Sequence, residues 1–169
     1  MDRPAIWCIN KKSQYNHRPL PGPPGFRLVR LLPGLNSDSL SCELADVQWK
    51  HDRDFGILSL TQSPSGGRYT SITDRPLKEI NTGTFIRIDK NTYQILNALR
   101  KLIKGCSFKL WVESVCVDMS CLREVVRHVQ QLAHILQGAR KIVRWNRDKV
   151  EVWSTRMRGK LRSEYFTLC

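Results

Sequence analysis

Apolar residues recur along the first half of the chain at strand spacing, and along two later segments at helical spacing. FRLVRLL (26–32) reads as a strand closed by the turn pair Pro33-Gly34. Glu43, Ala45, Val47 and Trp49 alternate with Leu44, Asp46 and Gln48, which predicts a second strand or edge. The polar cluster KHDRD (50–54) ends that pattern, and FGILSL (55–60) follows as a short strand of the buried type. Residues 62–67 carry turn chemistry, and TFIRID (84–89) is a further strand. Ahead of all these, residues 1–25 end in RPLPGPPG, a Pro/Gly-rich connector that runs extended because proline cannot continue a helix.

Over 92–104, Ile95, Leu96, Leu99, Leu102 and Ile103 fall on one helical stripe, leaving Arg100, Lys101 and Lys104 outside; Gly105 stands where a C-cap belongs. The second helix is clearer. Leu122, Val125, Val126, Val129, Leu132, Ala133 and Leu136 follow the i, i+3, i+4, i+7 rule, with Asp118 or Ser120 as the expected N-cap and Gly138 as the end. That stripe could be an oligomerisation face; packing on the sheet is its simpler explanation. KLWVESVCVD (109–118), between the helices, is apolar on both faces, as a central parallel strand is. RKIVRW (140–145) closes the series as another strand. Helix, strand, helix, strand predicts an α/β fold with a mostly parallel sheet and flanking helices.

A length of 169 residues, 41% hydrophobic and 25% charged, fits one domain. It divides into a Pro/Gly-rich segment (1–25), an α/β domain (26–146) and a basic C-terminal tail (147–169). No apolar run is long enough for a membrane span or a signal-peptide core, so the expected location is the cytoplasm. The net charge of +13 draws nucleic acid, anionic membrane or acidic partners. Nine Lys/Arg lie between Arg140 and Arg162 with Trp145 and Trp153 among them. Such a tract binds single-stranded nucleic acid by phosphate contacts and stacking, or is a solvated tail.

The six cysteines show no C-x-x-C pair and no dense framework, so free, mostly buried thiols are expected. Cys116, Cys121, His128 and His134 invite a zinc reading. Histidines six apart on a helix point to different faces, however, and no metal is expected. The two histidines flank the helix stripe and are expected at the surface.

The block Leu110 to Trp145 resembles the most recognisable stretch of heterokaryon-incompatibility (HET) domains. That family's pattern of Leu-Trp-(Ile/Val)-acid-x-(Ile/Val)-Cys-(Ile/Val)-(Asn/Asp) falls on Leu110, Trp111, Val112, Glu113, Val115, Cys116, Val117 and Asp118. Glu124, Val129, Leu132, Ile135, Ala139, Val143 and Trp145 continue it. Tyr15 with FRLVRLLPG (26–34), FGILSL (55–60) and TYQILNALRKL (92–102) agree in order. The chain departs at Thr61-Gln62-Ser63, where the family has Tyr-x-Trp-Gly, and at Glu113, Met119 and His128, where it has Asp, Gln and Gln. The resemblance therefore implies a divergent, degenerate or truncated copy.

The resemblance implies a fold like Toll/interleukin-receptor (TIR) domains, close to flavodoxin in arrangement. It also implies a fungal role in self/non-self recognition and programmed cell death through protein partners or self-association. Some TIR domains cleave NAD, so NAD enters as a substrate of the alternative, enzymatic reading; no bound cofactor is expected. In that reading Glu113 and Asp118 are the catalytic acids, at the sheet edge where parallel α/β sheets bind ligands. The plainer roles are an N-cap for Asp118 and a basic partner for Glu113. Ser59, Trp111, Cys116, Glu124 and Trp145 are the further motif positions: Ser59 ends a strand and can satisfy loop backbone, while Trp111 and Trp145 belong to the core.

Overall fold

A computed structural model describes residues 14–20, 22, 25–35, 38–48, 54–59, 75–103, 105–146, 149–154 and 162–163, with backbone alone at 145–146 and 162–163. The alternating stretches become strands β1 (Gly25–Leu31), β2 (Ser41–Gln48), β3 (Gly56–Ser59) and β5 (Thr84–Ile88). β4 (Arg75–Glu79) precedes β5; helix α1 (Lys90–Leu102), strand β6 (Phe108–Trp111), the single turn α2 (Glu113–Cys116) and helix α3 (Leu122–Gly138) follow. β7 (Lys141–Asn146), β8 (Lys149–Ser154) and β9 (Arg162–Ser163) complete the order. β8 and β9 fall within the stretch set apart above as the basic tail. The turn expected at 62–67 lies outside the described residues.

Among the described residues nine strands form one sheet, in the order β5-β4-β2-β1-β6-β3-β7-β8-β9. The fold is α/β with a mixed sheet, and the expectation of a mostly parallel one is corrected. Three of the eight pairings are parallel: β2 with β4, β3 with β6 and β3 with β7. Connection length explains the difference. Short links join β1 to β2, β4 to β5 and β7 to β8, and a short link can return the chain only antiparallel. The helical connection from β6 to β7 spans more than two dozen residues, and both strands run parallel to β3 between them. The helix-bearing half thus holds a parallel trio, and outside it β2 with β4 is the one parallel pairing among the described strands.

The apolar run expected as one strand, 109–118, divides. Val115 N–H and Cys116 N–H donate to the Val112 carbonyl (3.0 and 2.7 Å) and Val117 N–H to that of Glu113 (3.0 Å), winding one helical turn after Trp111. Val112, Val115, Cys116 and Val117 are all buried this way. Asp118 consequently lies beyond a helical turn rather than at a strand end.

α1 begins at Asp89, whose carboxylate caps Thr92 N–H at 3.0 Å. Ile95, Leu96, Leu99 and Ile103 are buried as expected, while Leu102 is exposed. Arg100, expected outside, is buried: its guanidinium donates to the carbonyls of Asp38 and Ser39 (both 3.1 Å) and holds the loop before β2. The β4–β5 turn closes on buried Glu79, which accepts from Thr82 N–H (2.8 Å), Thr82 Oγ1 (2.6 Å) and Asn81 N–H (3.2 Å). Burial alone would raise the Glu79 carboxyl, and these bonds lower it below its usual range. Gly83 completes that turn at φ +68°, a left-handed conformation that glycine adopts without strain.

Candidate functional site

Arg27 occupies the middle of β1, in a strand buried on both faces. An isolated guanidinium there would be costly, since burying an unpaired charge is strongly unfavourable. α3 answers it with Glu124, whose two carboxylate oxygens take both terminal nitrogens of Arg27. Arg27 Nη1 also donates to the Cys116 carbonyl at 3.0 Å, Nη2 donates to the Arg18 carbonyl, and Nε lies 3.6 Å from Asp46. Glu124 Oε1 accepts in addition from Asp118 N–H at 2.8 Å. One buried ion pair therefore ties together β1, β2, α2, α3 and the extended segment before β1.

One helical turn along α3 lies His128, 7% exposed. Its ring stacks on Trp111 (centroids 5.3 Å apart, planes 22° apart), and its Nε2–H donates to Glu113 Oε1 at 2.9 Å. Buried Nδ1 has no hydrogen-bond partner. Glu113 itself is about half exposed, at the mouth of α2. Arg27, Trp111, Glu124 and His128, with Leu20, Phe26, Gln131 and Ile135, line a small solvent-open cleft.

The expected surface position of His128 is corrected, and so is the orientation of the helix that carries it. The inner face of α3 is Glu124, His128 and Ile135, flanked by Val125 and Leu132, the two members of the expected core stripe that do pack against the core; Leu122, Val126, Val129, Ala133 and Leu136 of that stripe are exposed. His134 is exposed, as expected. Asp118 is not the N-cap of α3: Cys121 holds that position without a side-chain bond. The Asp118 carboxylate accepts instead from Ser120 Oγ (2.6 Å) and Ser120 N–H (3.0 Å), and the hydroxyl bond above all lowers its pKa.

The other motif positions take separate places. Ser59 ends β3, half-buried, and Trp111 and Cys116 are in the core. The Trp145 backbone pairs with Val150 between β7 and β8. Trp111, Glu124 and His128 are brought together around the cleft, with Glu113 bonded to His128, while Ser59 and Trp145 stand on the neighbouring strands β3 and β7. Within the basic tract, Arg144 lies over the Trp153 ring at 4.6 Å and pairs with Glu151 at 3.2 Å, so this aromatic and this cation already engage each other. Arg27, missed from the sequence, carried one signal. It is the polar member of the β1 face it shares with Val29 and Leu31.

Cys42, Cys106, Cys116 and Cys121 are free thiols, the first and third buried and Cys121 exposed. Burial pushes the Cys116 thiol up to about 12 and raises Cys42 as well, so both stay protonated and unreactive near neutral pH. A thiol reagent at pH 8 is expected to modify Cys121 in the native protein, and Cys42 and Cys116 only after unfolding. Peptide mapping that found Cys116 labelled as fast as Cys121 would contradict this packing.

The heterokaryon incompatibility protein (HET) family matches residues 58–164, from β3 through β9. No curated protein and no solved structure matches the chain. The match spans more than half of the sequence, and the chain belongs to the HET family. It takes in Glu113, Asp118, Glu124 and His128 and reaches beyond Trp145, where the recognisable motif ends. No described helix is long and apolar enough to cross a membrane.

Proposed function

We propose that this HET-family chain is a fungal self/non-self recognition module that signals programmed cell death through protein association, in the cytoplasm, on a TIR-like scaffold. The observation that carries the reading is the outer face of α3. Leu122, Val126, Val129 and Leu136, 48–77% exposed, form a contiguous apolar strip on the outer face of α3. Exposed apolar strips of this kind mark association surfaces. The test is inducible expression of the chain in a filamentous fungus, scored by viability. The wild type is expected to arrest growth, Val129→Glu to grow like an empty-vector control, and Glu113→Ala to arrest growth as the wild type does. Equal arrest by wild type and Val129→Glu would remove the support.

One observation favours NAD cleavage as the second reading. Glu113 follows the C-terminal end of β6, a member of the parallel trio, and its half-exposed carboxylate is held in place by His128. A fixed carboxylate at such an edge can stabilise the positive charge that develops on a ribose as its glycosidic bond breaks. Under this reading Glu113→Ala abolishes both NAD loss and growth arrest, whereas Val129→Glu retains NAD turnover by the purified protein. Arrest by Glu113→Ala with no NAD consumption by the wild type excludes it.

A further inference from the structure

The exposed apolar residues of α3 are not scattered. Leu122, Val126, Val129, Ala133 and Leu136 succeed one another at intervals of four, three, four and three, and all five side chains face solvent. A 4-3 repeat is the spacing by which one helix lays a seam along another. Met119, 61% exposed, extends the strip one step ahead of the helix. At the usual rise of 1.5 Å per residue the helical part of the strip, Leu122 to Leu136, is about 21 Å long.

What flanks the seam selects its occupant. On one side stand Arg123, Gln130 and Gln137, all exposed; on the other stand Val125 and Leu132, half-buried and packed against the core. We infer that α3 pairs with α3 of a second copy of this chain, antiparallel about a two-fold axis passing between Val126 and Val129. In that register Val126 meets the partner's Val129, Leu122 meets the partner's Ala133, and Met119 meets the partner's Leu136. The two-fold repeats each layer, so six layers form from three kinds of contact, and the bulky Leu122 falls opposite the small Ala133.

The flanks agree with this register. Arg123 falls opposite the partner's Gln130, an amide that accepts from a guanidinium, and Val125 falls opposite the partner's Leu132. No like charges are opposed along the seam. A two-fold interface requires such self-complementarity, because the same patch serves both sides. The remaining obstacle is long-range: each chain carries +13, and two copies repel until salt screens them. Salt therefore strengthens this dimer, whereas it weakens any complex with nucleic acid or another polyanion.

The proposal rests on the association reading above and names its partner and surface. The test is the solution mass of the whole chain, by light scattering across a protein concentration series at low and high salt. The wild type is expected to rise from 19.6 kDa towards twice that mass, at lower protein concentration in the higher salt. V129E and V126K, each at an exposed position and each checked for folding by circular dichroism, are expected to stay at one chain's mass. Mixing the two restores a dimer, because the introduced carboxylate then meets the introduced ammonium across the seam. A wild type that remains single at every concentration and salt overturns the inference. So does a V129E chain that dimerises like the wild type, or a mixture that fails to pair. If the wild type is single yet still arrests fungal growth, the dimer falls and the association reading survives. A salt-strengthened dimer with no growth arrest has the opposite meaning.

Discussion

Glu124→Ala is expected to lower folding stability by about 3–5 kcal/mol, the usual cost of removing one partner of a buried ion pair. For a chain of this size that corresponds to a fall in Tm of roughly 6–20 °C. The reason is Arg27 more than Glu124. Arg27 is 2% exposed, and with the carboxylate gone its charge remains in the sheet with only backbone carbonyls and the more distant Asp46 around it. The Asp118 amide loses its acceptor in the same step. A double replacement, Arg27→Met with Glu124→Leu, removes both charges and is expected to be less damaging than Glu124→Ala alone. The two sites should couple by about 1–3 kcal/mol in a double-mutant cycle measured by urea denaturation. A cost below about 1 kcal/mol for Glu124→Ala would mean that water reaches the pair and screens it.

That same pair explains why α3 was legible as a helix but not in its orientation. Periodicity identifies the apolar face of a helix, and packing on a sheet is the ordinary use of such a face. Here the sheet presents Arg27 at the contact, so the matching inner face is the one with Glu124 and His128. Most of the apolar face is left outside, and only its edge, Val125 and Leu132, reaches the core. No reading confined to 122–136 shows this, because the deciding residue lies nearly a hundred positions earlier. β1, β2, β3 and β5 were legible because each has its alternation or apolar run within one stretch. β4 was not, since Pro76 interrupts its pattern and cannot donate to a sheet ladder. The run 112–117 is apolar at most positions, and such a run does not separate a strand from a helical turn by spacing alone. At the site, Glu113 was legible through the motif it resembles. Its partner was not, because a histidine beside the apolar stripe of a helix gives no sign that a tryptophan will cover it.

Trp111→Ala is expected to cost about 3–5 kcal/mol, as for other large aromatic residues truncated in a core. Glu113→Ala is expected to change stability by less than about 1 kcal/mol, although the two residues lie two positions apart and both act through His128. Trp111 is 5% exposed and packs within the core, and an aromatic of its size contributes on the order of 150–250 Å² of buried surface. Glu113 is 53% exposed, so its bond to His128 competes with water throughout. Truncating Trp111 also uncovers the His128 ring and frees the carboxylate that the ring holds. The alanine variant should therefore lose stability and Glu113 orientation together, while Trp111→Phe keeps a stacking surface and loses less of both. Denaturation curves of the three variants test this order. A Glu113→Ala chain that unfolds as readily as Trp111→Ala would make Glu113 a structural residue, and any loss of activity in that variant would reflect unfolding. With the expected order, loss of activity in a stably folded Glu113→Ala chain reports on the carboxylate itself.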